Sequence, residues 1–190
     1  MPENISQIPA SRVPITFTDL ISREWYRFLY NIFAVLGSGS LRYGTFYDTT
    51  DQTAAAPNTA YAITFNNTDL SAGVYRGTPT SRIYVDRAGA YNFQFSAQLE
   101  SITGAGKTVF IWARVNGTDI PDSATKIHMQ GVNDAYVAAW NFVLRMNTGD
   151  YFELMWTGNN DKIEIHADVA SPPVPAIPSV IMTVSCNIGE

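Results

Sequence analysis

The sequence predicts an all-β protein, an antiparallel sandwich or barrel preceded by an extended arm and one short amphipathic helix. Three observations carry that reading. From about Leu41 onward, apolar and polar residues alternate over many short runs. Turn signals such as "DRAG", "NG", "NTGD" and "TGNND" separate the runs at short intervals. Before them stands one segment, "REWYRFLYNIFAVLGSG", whose apolar positions keep a helical period instead.

Residues 1 to about 20 form the arm. Pro2, Pro9 and Pro14 fix φ and disfavour helix, so an extended segment is expected, laid along a partner or without a fold of its own. The helix follows. Ser22 is placed to cap it, Glu24 suits its positive end, and Gly37 can adopt the left-handed conformation that stops it. Trp25, Phe28, Leu29, Ile32, Phe33 and Leu36 share one face, which Tyr26 and Tyr30 widen. Burial of each such side chain contributes roughly 1.5–3 kcal/mol, whereas a helix this short is marginal alone. Something must cover it.

The strand zone runs from about Leu41 to Glu190. "AYNFQFSAQLES" sends Tyr91, Phe93, Phe95, Ala97 and Leu99 one way and Asn92, Gln94, Ser96 and Gln98 the other. "RYGTFYD", "YAITF", "RIYVD", "KTVFIWARV", "AYVAAWNFVLRM", "DYFELMWT", "KIEIHAD" and "SVIMTVSCN" are further strands. Many short strands with close turns mean an antiparallel sandwich or barrel. Three of the later strands carry apolar residues in both alternating sets, where a solvated sandwich should show polar residues outward. A neighbouring subunit would supply the second cover. The candidates for that interface are Phe110, Trp112, Tyr136, Trp140, Phe152 and Trp156. The simpler account is that some bulky aromatics stand exposed singly.

Composition narrows the function. With 190 residues the chain suits one moderate domain plus an extension. A net charge of −5, from 12 basic and 17 acidic residues, argues against a nucleic-acid partner, which needs a clustered basic face. Arg27 and Asn31 interrupt the apolar helix, which is also too short to span a bilayer, so no membrane insertion is expected. "MPENISQIPASRVPITF" has no signal-peptide character. The single cysteine, Cys186, reads as a free thiol. "NIS", "NNT" and "NGT" match the glycosylation pattern at Asn4, Asn66 and Asn116, as such triplets often do by chance.

No catalytic constellation emerges, so the protein is expected not to be an enzyme and to need no cofactor. His128 and His166 lie on separate strands without metal-ligand spacing. Asp119 with Asp122, and Asp161 with Glu164, are close enough in sequence to share a calcium ion, but turn-capping carboxylates explain them more simply. Nucleophile elbows, phosphate loops and dinucleotide fingerprints are absent.

Two stretches resemble known families. "GAYNFQFSAQLE", "VNGTDIPDSATKI", "MNTGDYFELMW" and "PAIPSVIMTV", in that order, resemble a tumour necrosis factor-like jelly roll of the trimeric kind. That resemblance implies a homotrimer with aromatic-rich contacts. "SQIPASRVPI" followed by "ISREWYRFLYNIFAVLGSG" resembles the N-terminal attachment segment of virion proteins from tailed bacteriophages, in which an arm and short helix insert into the tail hub. No heptad rod lies between helix and knob, so a compact plug or knob is implied rather than a long needle.

The expectation is therefore two parts: residues 1–40 as arm plus aromatic helix for virion attachment, and residues 41–190 as the knob. Trp25, Phe28, Leu29, Ile32 and Phe33 are the expected attachment residues. Localisation in the virion is implied, with the tail hub, nozzle or coat protein as partners and a host-surface glycan as a further contact. The leading role is a tail plug, needle head or short fibre. A trimeric capsid decoration protein is the alternative, and a carbohydrate-binding module a third.

Overall fold

The computed structural model describes residues 14–17, 20–38, 41–104 and 106–189, and for residues 17, 33–38 and 187–189 the backbone alone. The chain divides into two compact units, Met1–Ser40 and Leu41–Glu190.

In the first unit, Thr16–Phe17 (β1) pairs antiparallel with Leu20–Ile21 (β2). The end of the arm thus doubles back rather than running straight; Pro2 and Pro9 lie outside the described residues. Helix α1 spans Arg23–Ser38 and so includes Gly37, which was expected to stop it. Ser22 holds the cap position through its backbone: its carbonyl accepts the Tyr26 N–H at 2.8 Å, and its own N–H donates to the Ile15 carbonyl at 2.8 Å. Its hydroxyl, expected to cap, has no hydrogen-bond partner. Side chains one turn apart meet along the helix. Trp25 and Phe28 touch edge to face at 5.7 Å, and Tyr26 stacks on Tyr30 at 6.1 Å.

The second unit is made of strands. They begin with β3 (Tyr43–Asp48), β4 (Gln52–Thr53), β5 (Tyr61–Ala62), β6 (Asn67–Ala72), β7 (Val74–Arg76) and β8 (Ile83–Val85). Next come β9 (Gly89–Ser101), β10 (Lys107–Val115), β11 (Thr118–Asp119) and β12 (Thr125–Met129). The set is completed by β13 (Ala135–Met146), β14 (Tyr151–Gly158), β15 (Ile163–Ile165) and β16 (Val180–Gly189). One seven-stranded sheet runs β4-β15-β9-β16-β3-β6, with β13 on the far side of β9. The other runs β11-β10-β14-β8-β7, with β12 along β10 and β5 along β14. Every named pair in this unit is antiparallel.

The alternation read from "AYNFQFSAQLES" sets the core. Tyr91, Phe93, Phe95, Ala97 and Leu99 are buried between the sheets. Phe93 stacks on Phe152 of the opposite sheet at 4.2 Å with an interplanar angle of 13°. Phe95 meets Trp140 edge to face at 4.6 Å and lies parallel to Phe142 at 6.1 Å. Asn116 and Gly117, at φ 50 and 79, form the left-handed turn that a two-residue link between β10 and β11 requires.

At one end of the core the strand pattern places a lysine where an apolar residue belongs. Lys107 is 2% exposed. Its ammonium donates to Ser101 Oγ at 2.7 Å, to the Gly104 carbonyl at 3.3 Å and to the Thr103 carbonyl. Burial pulls its pKa below the ordinary lysine value, with Asp161 opposing in part. Lys107 thereby closes the turn between β9 and β10. Lys107→Met keeps the bulk but strands these acceptors, and is expected to lower unfolding stability by about 1–3 kcal/mol in urea titrations. Stability unchanged or raised would mean that relief of the buried charge outweighs the lost bonds.

Candidate functional site

Directly paired residues of neighbouring strands point to the same side of a sheet, so the registers build the outward face of the sheet containing β9 row by row. One row is Val143, Asn92, Ser185, Tyr43 and Ala72. The next is Asn141, Gln94, Thr183, Thr45 and Leu70, and the third is Ala139, Ser96, Ile181, Tyr47 and Asn67. None of these residues carries a charge. The rows cover about 19 Å from β13 to β6 and about 14 Å along the strands, from strand spacing and rise. Val143 is 59% exposed and Leu70 55%; Ile181 and Tyr43 are exposed to a lesser extent. Gln94, Ser96, Ala139, Ile181 and Thr183 line a shallow hollow of about 260 Å³ at the centre. Asn141 Nδ2 donates to Asn92 Oδ1 at 2.8 Å across this face. This surface shares with interface cores the depletion of charge, though not their enrichment in aromatic residues.

Charges stand at the margins of these rows, with Asp69 exposed in the β6 bulge between Leu70 and Thr68. At one end Arg145 pairs with Ala90, and at the other Glu100 pairs with both Ala135 and Glu164.

The interface candidates read from the sequence occupy other places. Phe152 and Trp156 are 0% and 1% exposed, sealed between the two sheets by their own chain, so neither offers surface to a second copy. On the opposite side of β14, Glu153 and Met155 are buried as well, and Glu153 Oε1 accepts from the Ser81 hydroxyl at 2.8 Å. Trp140 also faces inward, half-buried against Phe95. Phe110 and Trp112 are half-buried on the outward side of the other sheet, Phe110 standing beside Lys126 and Thr157. The Trp112 indole donates to Asp119 Oδ1 at 2.8 Å, an oxygen that also accepts from Arg114 Nε at 2.7 Å. These bonds hold the Asp119 carboxyl below its usual pKa. Tyr136 is exposed on β13.

On the helix, Trp25 and Phe28 are half-buried, while Tyr26, Leu29, Tyr30 and Ile32 are exposed. The side chains of Phe33 and Leu36 lie outside the described residues.

Sequence reasoning missed one cluster. Pairing of β4 with β15 sets Gln52 opposite Ile165 and Thr53 opposite Glu164, which brings Asp51 to Glu164 and His166. His166 Nδ1 lies 2.9 Å from Glu164 Oε1 and 3.2 Å from Asp51 Oδ1. Its Nε2 lies 3.4 Å from Asp168 Oδ1 and 3.6 Å from Glu100 Oε2. Burial lowers the imidazole pKa, but Asp51, Glu100, Glu164 and Asp168 together outweigh it and hold it above the usual histidine value. The i, i+2 spacing of Glu164 and His166 was a legible sign of a shared side; the arrival of Asp51 was not. His128 is separate, 3.3 Å from Thr108 Oγ1. Asp161 pairs with Lys162 at 3.2 Å rather than with Glu164.

No family model matches the chain, and no curated protein matches it. Among solved structures it is similar to the Eiger tumour necrosis factor of S. frugiperda, with 8% identity, a TM-score of 0.51, and coverage of 79% of this chain and 94% of that one. It is also similar to the globular domain of zebrafish complement 1qA protein, with 12% identity, a TM-score of 0.49, and coverage of 78% and 98%. At such identities the likeness is one of fold. The strand-built unit is a tumour necrosis factor-like jelly-roll sandwich.

Proposed function

We propose that the protein is a homotrimeric structural component of a bacteriophage virion, a jelly-roll knob joined to the particle by its N-terminal segment. The observation that carries the assembly is the uncharged outward face of β13, β9, β16 and β3. Water solvates charges better than amides and aliphatic groups, so a broad face without charge is the surface least costly to remove from solvent. Copies of the chain are its occupants, in keeping with the jelly-roll fold. Helix α1 supplies a second apolar surface, through Trp25, Phe28, Leu29 and Ile32, with Phe33 on the same stripe of the sequence.

Support for the phage setting comes from the order of parts, a proline-rich arm and short aromatic helix ahead of a knob, which resembles virion attachment segments. Three linked anchors raise each other's effective concentration, so weak individual contacts give durable attachment. The role is structural rather than catalytic. The site on the particle is the tail, as a plug, needle head or short fibre.

Light scattering of the full chain tests the assembly. A species of about three times the 20.9 kDa chain mass is expected, and a stable single copy at micromolar concentration would overturn it. Quantified against coat protein in purified particles, a few copies support the tail and scores to hundreds place it on the capsid. Absence from particles would remove the virion role altogether.

A further inference from the structure

We propose that Asp51, Glu164 and His166 form a binding site for a divalent transition-metal ion of the zinc class. Their donor atoms lie within 4.8 Å of one another. Nitrogen and oxygen donors bound to one such ion at ~2.0–2.2 Å in a tetrahedral site stand about 3.3–3.6 Å apart. The observed 2.9 Å from Nδ1 to Glu164 and 3.2 Å from Nδ1 to Asp51 fall short of that spacing by a few tenths of an ångström, so the two carboxylates open slightly to admit the ion.

A second observation concerns His166 alone. Its Nδ1 is shielded from solvent and has no hydrogen-bond partner, although two carboxylate oxygens are near. Neither contact is aligned as a hydrogen bond. A ring nitrogen between two carboxylates, bonded to neither, is placed to share a ligand with them.

The surroundings support the same role. The Ala167 N–H donates to Asp51 Oδ1 at 2.8 Å and fixes that carboxylate. On the other side of the ring, Asp168 and Glu100 face Nε2. With Nδ1 on the metal, Nε2 carries the proton and points it at a carboxylate, the arrangement that orients metal-bound histidines. An imidazole donor favours zinc-class ions over calcium or magnesium, which prefer all-oxygen sites. A dication also offsets the repulsion among the carboxylates gathered around one imidazole.

The test is calorimetric titration of zinc chloride into the chelator-treated full chain near neutral pH, with thermal melting in parallel. One ion per chain and a raised melting midpoint are expected, with calcium and magnesium at least tenfold weaker. Asp51→Asn keeps an acceptor for the Ala167 N–H and should fold; with His166→Gln it should lose saturable binding. Glu100→Gln should weaken binding by about 10–100-fold, as for other groups that orient a ligand. No saturable binding to the unaltered chain would overturn the proposal, as would binding unchanged in both Asp51→Asn and His166→Gln. A melting midpoint that follows pH and ignores zinc would also overturn it, since a proton would then be neutralising the cluster. Light scattering of these variants reads assembly separately, so the two proposals fail independently.

Discussion

Ser96→Arg in the full chain is expected to abolish self-association while leaving the fold intact. Ser96 lies in the middle of the uncharged face, paired with Ala139 on one side and Ile181 on the other. Its side chain points away from the core that Phe95 and Ala97 enter. A guanidinium there stays solvated in a single copy, so melting of the isolated chain should change little. In an assembly it would be buried without a partner, which costs about 3–5 kcal/mol for each copy. That is at least a hundredfold in the association constant at each contact. Light scattering should show single copies at concentrations where the unaltered chain assembles. Thr118→Arg, on the exposed strand β11 of the other sheet, should change nothing. If Ser96→Arg still assembles, the face is not the interface.

Phe93→Ala carries the largest expected loss of stability. Phe93 has no exposed surface and stacks on Phe152 across the sandwich at 4.2 Å. Tyr91 packs at 6.3 Å on the same side, and Phe142 is its direct partner on β13. These rings belong to long strands of both sheets and cannot all close on the space left behind. Truncation of a buried phenylalanine costs about 3–5 kcal/mol, and denaturant titration should show a loss of that size. Phe110→Ala is the informative contrast, because Phe110 is half-buried on an outward side; less than half the loss is expected there. Equal losses would contradict the assignment of inward and outward sets on β10.

The architecture was legible where strands are long. The runs read as 107–115 and 135–146 are β10 and β13 to the residue, and the inward set of β9 was named correctly. Strands poor in apolar residues escaped, whereas the short β5, β8 and β15 lie inside runs read as strands. β6 and β12, "NTDLSA" and "TKIHM", carry only two apolar residues each and are strands because β3 and β10 offer them an edge. The apolar excess of β14 was real but misattributed. Phe152, Leu154 and Trp156 are hidden by the opposite sheet, and Glu153 and Met155 on the other side are buried too, which a linear reading could not show. Counting aromatics also included Phe152 and Trp156, which the sandwich seals inside one copy. The face that stands out mixes serine, threonine, asparagine, glutamine and alanine with Val143, Leu70, Ile181, Tyr43 and Tyr47, and its signal is missing charge. It emerges only when the registers align strands distant in sequence. The histidine cluster required the same alignment.

Strand β13 is twelve residues long and, among the described strands, pairs with β9 alone. A naked margin of that length is a template on which chains can stack without limit, and isolated sheets with such margins tend to end as fibrils. Geometry offers a remedy that composition does not. A ring of copies that covers this margin as it closes would leave none to recruit a further chain. For this chain, symmetry would serve solubility as much as strength.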